Sequence, residues 1–92
     1  MNEEIKSILN NMVTVKNYEG AVNQFLIIGD DFTLLQSYRS PIVMLKDGQV
    51  YLFEDWDYSQ TTSKYRNMFL GETTKETQAK LNSGEYIGVW DK

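Results

Sequence analysis

A chain of 92 residues with 41% hydrophobic side chains can bury one modest core, and is too short for two and too apolar for a disordered tail. It contains neither cysteine nor histidine, which removes disulfides, thiolate nucleophiles, cysteine metal sites and imidazole as base or ligand. Its net charge of −4, with no basic cluster, speaks against nucleic acid held through phosphates and suits a basic protein surface better.

Ile5, Ile8, Leu9 and Met12 recur at helical spacing and predict a helix over 3–12, with Asn2 as N-cap and Glu3 and Glu4 in the first turn. The same stretch has early acids and no apolar core of the kind a signal peptide needs. No segment reaches the roughly 18 apolar residues of a membrane span, so a cytoplasmic protein is expected. Residues 12–15 continue the helix or start a strand. Asn17 to Gly20 reads as a turn, and AVNQFLII at 21–28 as a strand broken by Gly29-Asp30-Asp31. FTLLQSY at 32–38 is a second strand. Ser40-Pro41 interrupts, because proline has no N–H for a ladder. IVML at 42–45 and VYLF at 50–53 then flank Asp47-Gly48, a hairpin signal.

Past Asp55 the period changes. Residues 59–71 begin with hydroxyl caps, place Tyr65, Met68 and Phe69 on one helical face, and stop at Gly71. Thr73 and Glu76 form a capping box for a second short helix that ends at Ser83-Gly84. EYIGVW at 85–90 has strand character, and Trp90 reads as a plug that pins it to the core. The expected fold is α+β: an N-terminal helix, an antiparallel sheet of three to five strands with helices on one face, and two short helices before a C-terminal strand.

The most unusual segment is EDWDYSQTTSKY at 54–65. Glu54, Asp55, Trp56, Asp57 and Tyr58 mix aromatics with charge, the chemistry of protein-binding hot spots, and are the candidate partner site. The competing role for Trp56 and Tyr58 is packing under the sheet, with Ser59, Thr61 or Thr62 capping the next helix. Thr61, Thr62, Lys64 and Arg66 offer hydroxyls and cations at a helix start, a candidate anion site. No glycine-rich loop precedes them, so they do not make a P-loop. The three carboxylates lack the oxygen count and glycine of a calcium loop; no metal and no cofactor is expected. Arg39, in the polar break QSYRSP, is positioned to pair with an acid of the 54–57 group.

The strand SYRSPIV at 37–43 and the run WDYSQTTSKYRNMFLG at 56–71, with TTKE and SGEY further on, resemble a family of small proteins of phages and mobile elements. The resemblance spans roughly residues 32–87. Members often carry histidine where this chain has Tyr65. It implies a phage or plasmid setting but brings no established activity.

The leading expectation is a non-enzymatic phage-type accessory protein that binds and inhibits a host protein. A defence complex such as a CRISPR effector is the target class, in the manner of an anti-CRISPR that occupies a basic nucleic-acid channel. One alternative is a nucleic-acid or nucleotide-binding module working through the 61–66 cluster. Another is a self-assembling structural protein, with a homodimer through exposed sheet edges.

Overall fold

The computed structural model describes residues 13–90, which form one mixed sheet and two helices. Five strands run as a meander: β1 (Thr14–Asn17), β2 (Gln24–Ile28), β3 (Phe32–Ser37), β4 (Ser40–Lys46) and β5 (Gln49–Phe53). Each is antiparallel to the one before it. Helices α1 (Gln60–Leu70) and α2 (Thr74–Ser83) carry the chain back along the sheet, and β6 (Ile87–Val89) pairs parallel with β5. A parallel neighbour requires a long crossover, which the two helices provide. Spatial order follows sequence order throughout.

The α+β class and the two helices agree with expectation, but the sheet has six strands rather than three to five. The added strand is β1. Its β-branched Thr14 and Val15 fold back on β2 through a turn at Tyr18–Gly20, where Glu19 and Gly20 both take positive φ. The helix expected over 3–12 lies outside the described residues.

Local signals set most boundaries. Asp47 and Gly48, both at positive φ, turn β4 into β5. The Ser59 side chain caps α1 by accepting from Thr62 N–H at 3.1 Å, and Gly71 ends the helix in the left-handed region. The Thr73–Glu76 capping box is fully formed at α2. Between Leu35 and Gln36 the β3–β4 register shifts, so the polar break around Pro41 is a bulged strand junction.

Alternation divides the sheet into two faces. Leu35, Val43 and Leu52 lie in register on one, and are buried with Ile42, Trp56 and Tyr86. Phe69 and Leu70 of α1 and Leu81 of α2 pack on this cluster, so both helices cover that face. Trp90 packs there too, half-buried, with its ring over Gly88: a side-chain carbon on Gly88 would sit 2.7 Å from it. Among the described residues, no helix covers the opposite face or is long and apolar enough to cross a membrane.

Candidate functional site

The loop from Glu54 to Ser59 leaves β5 and must turn under the sheet before α1 begins. Trp56 is the anchor of that turn: it is 7% exposed and belongs to the core. Its neighbours point outward. Tyr58 is 78% exposed, Glu54 and Asp57 are exposed, and Asp55 is half-buried. The five residues expected to form one partner surface are therefore split by the turn of the loop, with the indole inside and the phenol outside.

The four residues of the expected anion site diverge as well. Thr61 and Lys64 face solvent, whereas Thr62 and Arg66 are buried. Thr62 Oγ1 lies 3.2 Å from Ser37 Oγ, which in turn accepts from Gln24 Nε2 at 2.9 Å. Ser59 Oγ reaches Thr62 Oγ1 at 3.2 Å. This chain of hydroxyls ties the first turn of α1 to the end of β3.

Arg66 is fully buried and acts as an internal clamp. Nη1 donates to the Trp56 carbonyl. Nη2 donates to Asn67 Oδ1 at 3.0 Å and to Thr74 Oγ1 at 2.6 Å. The guanidinium carbon lies 4.9 Å from the centre of the Trp56 ring, a cation–π contact, and Asp57 Oδ1 lies 3.6 Å from Nη1. Burial draws the Arg66 pKa below its ordinary value, and Asp57 opposes that pull. An arginine remains charged regardless. The clamp joins the 54–59 loop, α1 and the start of α2. Asp57 is thus paired with Arg66; among the described residues, Arg39 has no ion pair, which corrects the pairing expected between Arg39 and the 54–57 acids.

A cleft of about 540 Å³ opens beside this clamp, between the β3–β4 turn and the 54–59 loop. Tyr38 and Arg39 line one side, and Asp55 and Tyr58 the other. Ser37, Ile42 and Thr62 also border it. Tyr38 is 57% exposed and sits at φ 55°, in the left-handed region that a bulky side chain enters only at a cost of about 1–2 kcal/mol. Its N–H is fixed by the Asn23 carbonyl at 2.7 Å. Tyr38 was legible only as part of a polar break, because nothing in a tyrosine announces positive φ.

A second polar cluster lies at the other end of the helices. The Glu72 side chain is only 5% exposed and accepts from Thr77 Oγ1 at 2.6 Å, Tyr86 OH at 2.7 Å and Lys80 Nζ at 2.9 Å. Burial alone would raise the Glu72 pKa, but these three donors outweigh it and hold the carboxyl below its usual range. The Tyr86 phenol is pushed up, by burial first and then by Glu72. No group of three or more carboxylates converges among the described residues.

Residues 4–86 match one family, a family of unknown function designated DUF8033. The chain belongs to that family. The match covers the whole sheet up to the start of β6, both helices and the cleft, so DUF8033 spans the candidate site as well as the scaffold. No curated protein and no solved structure matches the chain.

Proposed function

We propose that this DUF8033 protein works by binding, and that its partner is another protein, held at the cleft between Tyr38 and Tyr58. The observation that carries this is Tyr38. An exposed aromatic ring occupies a backbone position where glycine or asparagine would be less strained, beside a second tyrosine that is 78% exposed. Strain retained at a surface residue points to use of its side chain. Tyrosines supply large, stiff contact area at low entropic cost. Arg39 gives the cleft a cation for a partner carboxylate, and Asp55 gives it an anion facing the other way.

In the form implied by the resemblance to phage proteins, the partner is a host protein, a defence complex such as a CRISPR effector. The chain inhibits it by covering a working surface. The overall charge of −4 and the exposed Glu54 support a target with basic character around the contact. A direct nucleic-acid role draws less support, since Thr62 and Arg66 spend their donors inside the fold.

The test is capture from host lysate by three proteins in parallel: wild type, Tyr38→Asn and Tyr58→Ala. A partner bound at the cleft is retained by wild type and lost by both variants, each weakening affinity by about 2 kcal/mol, roughly thirtyfold. Tyr38→Asn should fold at least as well as wild type, because asparagine tolerates the left-handed region. A protein captured equally by all three would place the contact elsewhere and refute the assignment.

A further inference from the structure

We propose that the sheet face opposite the helices is the contact surface of a homodimer, with a second copy of this chain packed face to face against it. This surface is not the Tyr38–Tyr58 cleft, and the two assignments fail independently.

The strand pairing places Val15, Ile27, Leu34, Met44, Tyr51 and Ile87 in one unbroken row across all six strands. The next positions along the strands add Phe25 and Phe53, which share that face by alternation. The helices lie on the other face, against Leu35, Val43 and Leu52. The strands themselves point the same way. A sheet covered on one side only alternates apolar with polar, whereas strands buried on both sides read as continuous apolar runs. Phe25 to Ile28, Ile42 to Leu45 and Val50 to Phe53 are such runs. The sequence therefore encodes two covered faces, and among the described residues the fold covers one.

The size of the face identifies its occupant. Six strands about 4.8 Å apart, with two or three positions along each, give a patch on the order of 350 Å² in plan. With side-chain relief, two such patches bury roughly 1,000 Å² of accessible surface, which meets the lower bound for a specific interface. Charge favours a copy over a foreign partner. The apolar row contains no ionisable carboxylate or ammonium, and the nearby Lys46 is paired with Asp31 at 3.6 Å, so the face presents no field for an oppositely charged surface. A closed two-fold dimer needs only one patch that meets its own copy, which a row spanning β1 to β6 can supply.

Light scattering after size exclusion, at concentrations well above micromolar, reads the mass of wild type, Leu34→Lys and Met44→Lys. A wild-type dimer and monomeric variants with wild-type circular dichroism are expected. Because the chain has no cysteine, Met44→Cys supplies a second reading that does not depend on those variants folding. Facing sheets pack about 10 Å apart, too far for a direct disulfide, so the reading is accessibility: a bulky maleimide should label Met44→Cys slowly at dimer concentrations and faster on dilution, while Tyr58→Cys on the cleft side labels fast at both. Four results would overturn the proposal. These are a monomeric wild type, a dimer that survives both lysine substitutions in folded protein, a Met44→Cys protein that labels as fast as Tyr58→Cys at dimer concentrations, or a monomer that dimerises only after deletion of residues 1–12. The last would mean that the chain's own first segment covers the face.

Discussion

Replacing Arg66 tests whether the 54–59 loop is held by the guanidinium. Arg66→Met keeps most of the buried volume and removes every hydrogen bond from the side chain. The Trp56 carbonyl, Asn67 Oδ1 and Thr74 Oγ1 each lose a charged donor, and the Trp56 ring loses its cation. A hydrogen bond to a charged group contributes about 1.5–3 kcal/mol, but the three share one donor and will not add fully. Asp57 offsets part of the loss, because its side chain is 48% exposed and can be solvated once its partner is gone. The expected net cost is about 3–5 kcal/mol, in the range found when one partner of a buried charged pair is removed. A domain of this size has about 5–14 kcal/mol in total, so the variant should lie near the edge of folding. At about 4–8 °C per kcal/mol, its Tm should fall by at least roughly 12 °C.

Arg66→Lys keeps the charge but loses the planar fork, and should fall between wild type and Arg66→Met. Urea unfolding followed by tryptophan fluorescence is the assay, since Trp56 sits directly under the guanidinium. The slope of the transition should stay constant, so that midpoint shifts report stability alone. An Arg66→Met protein within about 1 kcal/mol of wild type would refute the clamp as a net stabiliser, because relief of the guanidinium's desolvation would then match the hydrogen bonds lost.

Two further perturbations separate core from surface and test the second polar cluster. Trp56→Ala should cost about 3–5 kcal/mol and leave little folded protein, whereas Tyr58→Ala should change stability by less than about 0.5 kcal/mol; comparable unfolding midpoints would contradict the placement of the loop. Glu72 has a depressed pKa in the folded state, so its contribution is present above the ordinary glutamate value and is lost as pH falls through the lower, folded value. Tyr86 has a raised pKa, so its contribution holds below the ordinary tyrosine value and is lost as pH rises through the higher one. Thermal melts across acid and alkaline pH should show a shallower acid arm for Glu72→Gln than for wild type, and parallel arms would mean that the carboxylate is not linked to folding.

Elements governed by adjacent residues were the most legible. The capping box at Thr73, the stop at Gly71 and the Asp47-Gly48 hairpin each depend on side chains within three or four positions, and all three formed where the sequence placed them. β1 was ambiguous because Met12 to Val15 suits either a helix end or a strand, and only the turn back onto β2 decides between them. The parallel pairing of β6 depends on the path of both helices, which no local pattern states. The candidate site was harder still. A Thr-Thr-Ser-Lys-x-Arg run at a helix start looks the same whether its donors face an anion or the interior. Arginine is so seldom fully buried that an outward Arg66 was the natural expectation. The Trp56 carbonyl, Asn67 and Thr74 that draw it inward are separated from it by one to ten positions and converge only when the loop folds under the sheet.

That convergence bears on how Tyr58 would be used. The loop is fixed by Trp56 in the core, by Arg66 on the Trp56 carbonyl, by Ser63 Oγ donating to Asp57 at 2.9 Å, and by the Ser59 cap. Tyr58 stands among these ties with its own ring free, so a partner would meet a loop already ordered and would lose less affinity to ordering it. Arg66→Lys should therefore weaken partner capture at temperatures where the protein is still folded, although Arg66 never reaches the surface. The loss should appear as faster dissociation with little change in association, since the exposed groups that meet the partner first are untouched. Unchanged capture by folded Arg66→Lys, alongside loss of capture in Tyr58→Ala, would mean that the ring binds without help from the clamp beneath it.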